Sequence, residues 1–311
     1  MDVILQNLLG ITLIIFMIGN LLEVGLKLRL GEALGAIRNV EFVLLGLLWA
    51  FVLCPALAVL LTRIIPLSEP YAIGLIFLGM APCAPFLPLV AEKAGGDLAS
   101  IAAFSLLAYV GTVLFMPIAT PLLVPGFKAD AWMIAKPLLL YIIAPLVIGI
   151  LIRSRAEAFA ERAHPLVKKI TGVDTLIMLL LLLWIYADEF LNAVGTYAIG
   201  TQFLFYLIVA AAAYASAFRL PHPQRSVLAL GLCTRNIGAA IAPLLAAPGT
   251  DPRALAMVTL AVPLTVVCAF LVSRRLARLS APGGESVAQS ATTGRMHSSR
   301  SSKDKQSGLL L

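Results

Sequence analysis

Apolar residues gather into runs of about 20 along most of the chain, separated by short polar or basic stretches. An α-helix needs about that length to cross a ~30 Å hydrocarbon layer with every backbone group satisfied internally. Nine spans are predicted, over 4–23, 40–61, 71–91, 98–124, 132–152, 171–191, 196–218, 226–246 and 254–273. The opening run has Asp2 before it, no basic leader and no small-residue cleavage site, so it is expected to be a retained span and not a cleaved signal. From 280 onward the sequence turns to Ser, Gly, Arg and Lys (GGESVAQSATTGRMHSSRSSKDKQSG). Such a segment buries too little apolar area to offset its ordering entropy. The predicted organisation is an all-α, polytopic membrane bundle over 1–279 and a disordered basic tail over 280–311.

Composition removes the soluble alternative. Hydrophobic residues make up 60% and charged residues 13% of the 311, against about 45–50% and about 25% in soluble domains. The net charge of +7 lies mostly in loops and tail, which points to the lipid bilayer and not to nucleic acid. With the N-terminus outside, 18 of the 23 Lys and Arg residues fall on the inner side, Arg63, Lys128, Lys136 and Arg253 fall outside, and Arg235 lies within a span. The excess of inward positive charge predicts a multi-pass inner (plasma) membrane protein with a cytoplasmic C-terminus. Cys54, Cys83, Cys233 and Cys268 sit inside apolar runs without disulfide or zinc spacing. His164, His222 and His297 are read in loops or tail, form no catalytic set, and no Walker motif is present. An enzyme is therefore not expected.

Two spans differ from the rest because helix breakers occupy their centres. The third reads GMAPCAPFLPLVAEKAGGD, where Pro82, Pro85 and Pro88 each remove a backbone donor and free a carbonyl one turn earlier. The eighth reads ALGLCTRNIGAAIAPLLA, with Gly231, Thr234, Arg235 and Asn236 in mid-span. Irregular backbone at that depth survives beside a cavity or buried protein, and paired interrupted spans point to a transporter site. Arg235 requires a partner or a cavity, and two roles fit it: a structural salt bridge with Glu23 of the first span, or an anchor for a ligand. Cys83 and Cys233 occupy comparable places in the two spans, as small hydrophobes or as a soft-ligand pair for a metalloid. Asp188 and Glu189, close after Trp184 and Tyr186, resemble an interfacial belt.

With these broken spans, and with IGNLLEVGLKL near the start and PLLLYIIAPLVIGILIR in the middle, the chain resembles the bile acid:sodium symporter family. The wider superfamily includes arsenite-efflux permeases and auxin-type carriers. The resemblance implies inverted repeats, a panel and a core domain, and two discontinuous helices crossing at the substrate site. It also implies that the chain starts at the family's second helix, which gives nine spans. Sodium coupling is the family default, yet Leu87 and Pro88 fall where sodium-coupled members carry a Ser-Asn pair. Gly231, Arg235 and Asn236 fall on the family's Glu-x-x-x-Gln-Asn. Losing a carboxylate and gaining a guanidinium changes the local charge by about +2, which opposes Na⁺ at that position and suits an anion.

The sequence thus predicts a secondary transporter that moves a small organic anion by alternating access, with Na⁺ as the family's coupling ion and no other cofactor. The expected site is Arg235, Asn236, Thr234 and Gly231 with Pro82, Cys83, Pro85 and Pro88. A metalloid efflux permease and a membrane sensor or scaffold are the competing readings. No metal ligand set and no oligomeric state are specified.

Overall fold

The computed structural model describes residues 2–280, so the predicted tail lies outside the described residues apart from Ser280, which ends a helix. In chain order the helices are α1 (Asp2–Lys27), α2 (Leu30–Ile37), α3 (Val40–Leu48), α4 (Cys54–Ile64), α5 (Glu69–Met80), α6 (Leu87–Lys93), α7 (Leu98–Leu123) and α8 (Ala131–Leu138). They continue with α9 (Ala144–Arg155), α10 (Glu157–Ile185), α11 (Ala187–Ala193), α12 (Ala198–Ser216), α13 (His222–Cys233), α14 (Ile237–Ala246) and α15 (Pro252–Ser280). Among the described residues the sole β-type pairing is an isolated bridge between Pro82 and Arg235.

Among the described residues six segments are long and apolar enough to cross a membrane: Ile4–Lys27, Val40–Ile64, Leu98–Leu123, Ala131–Arg155, Ala198–Ser216 and Pro252–Ser280. Two of them contain a π-helical turn, Trp49–Leu53 and Leu139–Ile143. A proline, Pro55 or Pro145, stands just past the end of each turn, with Cys54 or Ala144 between. Proline lacks an N–H and crowds the carbonyl four residues back, and the wider turn absorbs that conflict without ending the helix. The third and eighth predicted spans are each split, into α5 and α6 and into α13 and α14.

The sixth span departs from expectation. Its helix begins at Glu157, so Arg162, Lys168 and Lys169 lie on α10 and not in a loop, and His164 is helical too. His222 is likewise the first residue of α13; His297 lies outside the described residues. Arg153 explains the early start of α10. It donates to Glu157 Oε1 at 2.7 Å and Glu161 Oε1 at 3.3 Å, clamping the first turns of α10 to the end of α9.

Packing divides the helices into two groups. α1, α9 and α10 lie against one another. Gly25 and Gly149 let α1 and α9 touch backbone to backbone, since a Cβ on Gly25 would lie 2.4 Å from the Leu146 carbonyl oxygen; close approach through small residues is the usual glue between membrane helices. The larger group surrounds α5, α6, α13 and α14. α8 packs on α7 and α14 of this group and leads into α9 of the other. α1 meets the larger group where Met17 packs on Gly238. A repeat is also visible: residue 222 minus 69 and residue 233 minus 80 both give 153, so α5 and α13 match in length and offset. Each is followed by an extended break, a short helix and a long helix, α7 or α15.

Candidate functional site at the helix crossing

Helix α5 stops at Met80 and α13 at Cys233 for different local reasons. Pro82 withholds a donor from the first. In the second, Asn236 prefers a cap to a helix interior, and its Oδ1 accepts from the Ala239 N–H at 3.1 Å to start α14. The two extended stretches run antiparallel across each other. The Asn236 N–H donates to the Ala81 carbonyl at 2.9 Å, and the Cys83 N–H is shared between the Gly231 and Thr234 carbonyls at 3.0 Å each. The Ala84 N–H donates to Thr234 Oγ1 at 3.2 Å, and the Thr234 hydroxyl donates to the Gly231 carbonyl at 3.3 Å. Each break therefore satisfies backbone groups freed by the other, as a low-dielectric interior demands. Cys83 adopts φ +68, a left-handed conformation that costs a non-glycine residue about 1–3 kcal/mol.

Arg235 is fully buried. Its Nη1 reaches the Gly79 carbonyl at 3.4 Å, its Nη2 reaches Cys54 Sγ at 3.3 Å, and its guanidinium carbon lies 4.8 Å from the centre of the Phe205 ring. Nε has no hydrogen-bond partner, and neither does the Nδ2 of neighbouring Asn236. No carboxylate pairs with Arg235 among the described residues. Glu23, the carboxylate that the salt-bridge reading would use, lies 3.5 Å from His164 Nε2 instead, because α1 packs that face against α10.

Most of the predicted site residues converge here. Thr234, Arg235, Asn236, Pro82 and Cys83 form the crossing itself. Gly231 contributes its carbonyl; a Cβ there would lie 2.3 Å from Phe104 Cε1, so α7 occupies the room a side chain would need. Pro85 is in the turn before α6, while Pro88 corrects expectation by sitting in the first turn of α6, where a missing N–H is harmless. The Cys83 sulfur is directed at α7, 3.6 Å from Ser105 Oγ and 3.9 Å from Tyr109 Oη. Among the described residues no group of three or more His, Cys, Asp or Glu could hold a metal ion. Sequence reasoning missed Cys54, Gly79 and Phe205, which nothing in the sequence marks. Away from the crossing, α10 carries an ionisable residue inside an apolar run, Asp174.

Residues 12–193, more than half of the chain, match the sodium bile acid symporter family. The chain belongs to that family. It is 28% identical over 154 residues to the P3 protein of Homo sapiens and 26% identical over 154 residues to the P3 protein of Bos taurus. Each alignment covers 48% of this chain and 32% of the relative, so the chain spans about a third of the length of the curated relatives it matches. The sodium bile acid symporter family is one of membrane transporters, and the apolar helices agree with a multi-pass membrane protein. The family match includes α5 and α6 but ends before α13. Arg235 is tied to the first broken helix by geometry alone.

Proposed function

We propose that the chain is a secondary active transporter that carries a small organic anion across the inner (plasma) membrane by alternating access, with the helix crossing as its binding site. The observation that carries this reading is Arg235: a fully buried guanidinium without a carboxylate, beside the N-terminus of α14. Inserting an unpaired arginine costs at least ~2.5–3.5 kcal/mol, and the helix end adds partial positive charge. An exchangeable anion offsets both, and the planar guanidinium suits a carboxylate or sulfonate. The same charge disfavours the family's Na⁺ at this point, since two cations about 4 Å apart repel by roughly 4 kcal/mol at an effective dielectric of about 20.

Uptake of labelled carboxylates and sulfonates into proteoliposomes tests the reading. Wild-type protein should take up members of the panel without needing sodium. Arg235→Gln should weaken binding at least about tenfold, the equivalent of about 1.4 kcal/mol, with normal expression and a monodisperse elution profile, and Arg235→Lys should restore part of it. Unchanged uptake by Arg235→Gln would show that the arginine is a strut.

A further inference from the structure

Asp174 is the acidic residue inside the apolar part of α10. It is 7% exposed, and its Oδ2 is buried without a hydrogen-bond partner; so is Oγ1 of Thr171, one turn before it. The register of α10 on α1 fixes what Asp174 faces. Glu23 lies against His164 and Gly19 lies against Thr171, so the helices are antiparallel and the next turn of α10 brings Asp174 opposite Phe16 and Met17. Met17 in turn packs on Gly238, two residues beyond Asn236. Asp174 therefore lies at the depth of the crossing, with α1 between them.

Among the described residues no opposite charge meets it there. α1 carries no charged residue between Asp2 and Glu23. α9 carries none before Arg153, which is engaged by Glu157 and Glu161 at the far end of the pair. α11 follows the other end of α10 with Asp188 and Glu189, both acidic. On α10 itself, Lys169 is exposed and five residues away, about 7.5 Å along the axis, with the unpartnered Thr171 hydroxyl between. A buried carboxyl oxygen without a partner, packed among apolar helices, marks an ion or proton pathway.

We propose that Asp174 is a proton-binding site and that its proton travels in the same direction as the anion; the direction rests on the transport reading above, the proton site does not. The carboxylate takes one proton from water on the side of higher proton activity, becomes a neutral carboxylic acid, and returns the proton to water on the opposite side after the conformational change. Coupling follows from charge. An anion seated on Arg235 cancels the guanidinium field that opposes a proton on Asp174, so anion binding favours protonation. By reciprocity, protonation tightens anion binding. One proton with one monovalent anion moves no net charge.

The first test needs no substrate. Infrared difference spectra between acid and alkaline pH, recorded on the full chain in lipid, should show a protonated-carboxyl band that Asp174→Asn removes and Asp174→Glu shifts. The second uses the same carboxylate and sulfonate panel. Asp174→Asn should lose accumulation driven by an inward proton gradient and keep equilibrium exchange, its anion affinity losing a pH dependence of about fivefold; Asp174→Glu should regain part of the accumulation. A native carboxyl band in Asp174→Asn, or gradient-driven accumulation by it, overturns the proposal. Loss of exchange together with accumulation in both variants assigns Asp174 a structural role and overturns it equally. A wild-type protein that shows the Asp174 band yet moves none of the panel overturns the transport reading and leaves the proton site standing.

Discussion

At the scale of single residues, the crossing concentrates strain and charge in a few side chains. Cys83 holds a left-handed backbone conformation because its N–H is claimed by two carbonyls of the opposite break. Cys83→Val is expected to destabilise the protein by at least about 1–3 kcal/mol, since a β-branched residue tolerates positive φ poorly, whereas Cys83→Ser should leave melting temperature and anion uptake nearly unchanged. Thermal unfolding beside the uptake assay decides it, and loss of uptake on serine substitution would favour sulfur chemistry over anion binding. Arg235, Asn236, Thr234 and Pro82 were legible because polar groups and prolines stand out in apolar runs. The partners of Arg235 were not. Cys54 lies 181 residues away in sequence, and its type is ordinary for a core. A salt bridge to Glu23 is one of the two roles the sequence leaves open for Arg235, but which helix faces which depends on packing, and α10 offers Glu23 the ring of His164.

At the scale of elements, one broken helix is legible from its three prolines and the other from Gly231, Thr234, Arg235 and Asn236 in mid-span, and the caps explain why the breaks fall where they do. Asn236 caps α14 with Oδ1 and leaves Nδ2 unpartnered. Asn236→Asp should keep the cap, remove the stranded donor and place a negative charge beside Arg235. A higher melting temperature, by an amount equivalent to about 1 kcal/mol, should therefore accompany weaker anion uptake, because the new carboxylate competes for the same guanidinium. If uptake rises instead, the bound solute is not an anion. The start of α10 was illegible for a converse reason. A dense set of basic residues after Arg153 reads as a loop until the Arg153–Glu157 pair is recognised as joining two helices across their junction.

At the scale of the molecule, apolar length revealed a multi-pass helical protein but not its grouping into two packed sets, which depends on contacts such as Gly25 with Gly149 and Met17 with Gly238. Orientation rests on the skew of basic residues, and Ser154 at the exposed end of α9 is the place to check it. A Ser154→Cys variant should react with an impermeant thiol reagent in opened cells only, the four native cysteines being buried; labelling from outside intact cells would invert the topology.

The interlocked breaks also impose a schedule on synthesis. The Ala84 N–H waits for Thr234, 150 residues later in the chain. At about 5–20 residues per second, the ribosome delivers that partner roughly 8–30 s after the first break has emerged. Through that interval the donors and acceptors around Pro82 have no mate, and hydrocarbon supplies none. The nascent chain must therefore keep its first broken helix beside water or an insertion machine until the second half arrives, and the crossing can close only after α13 has been made.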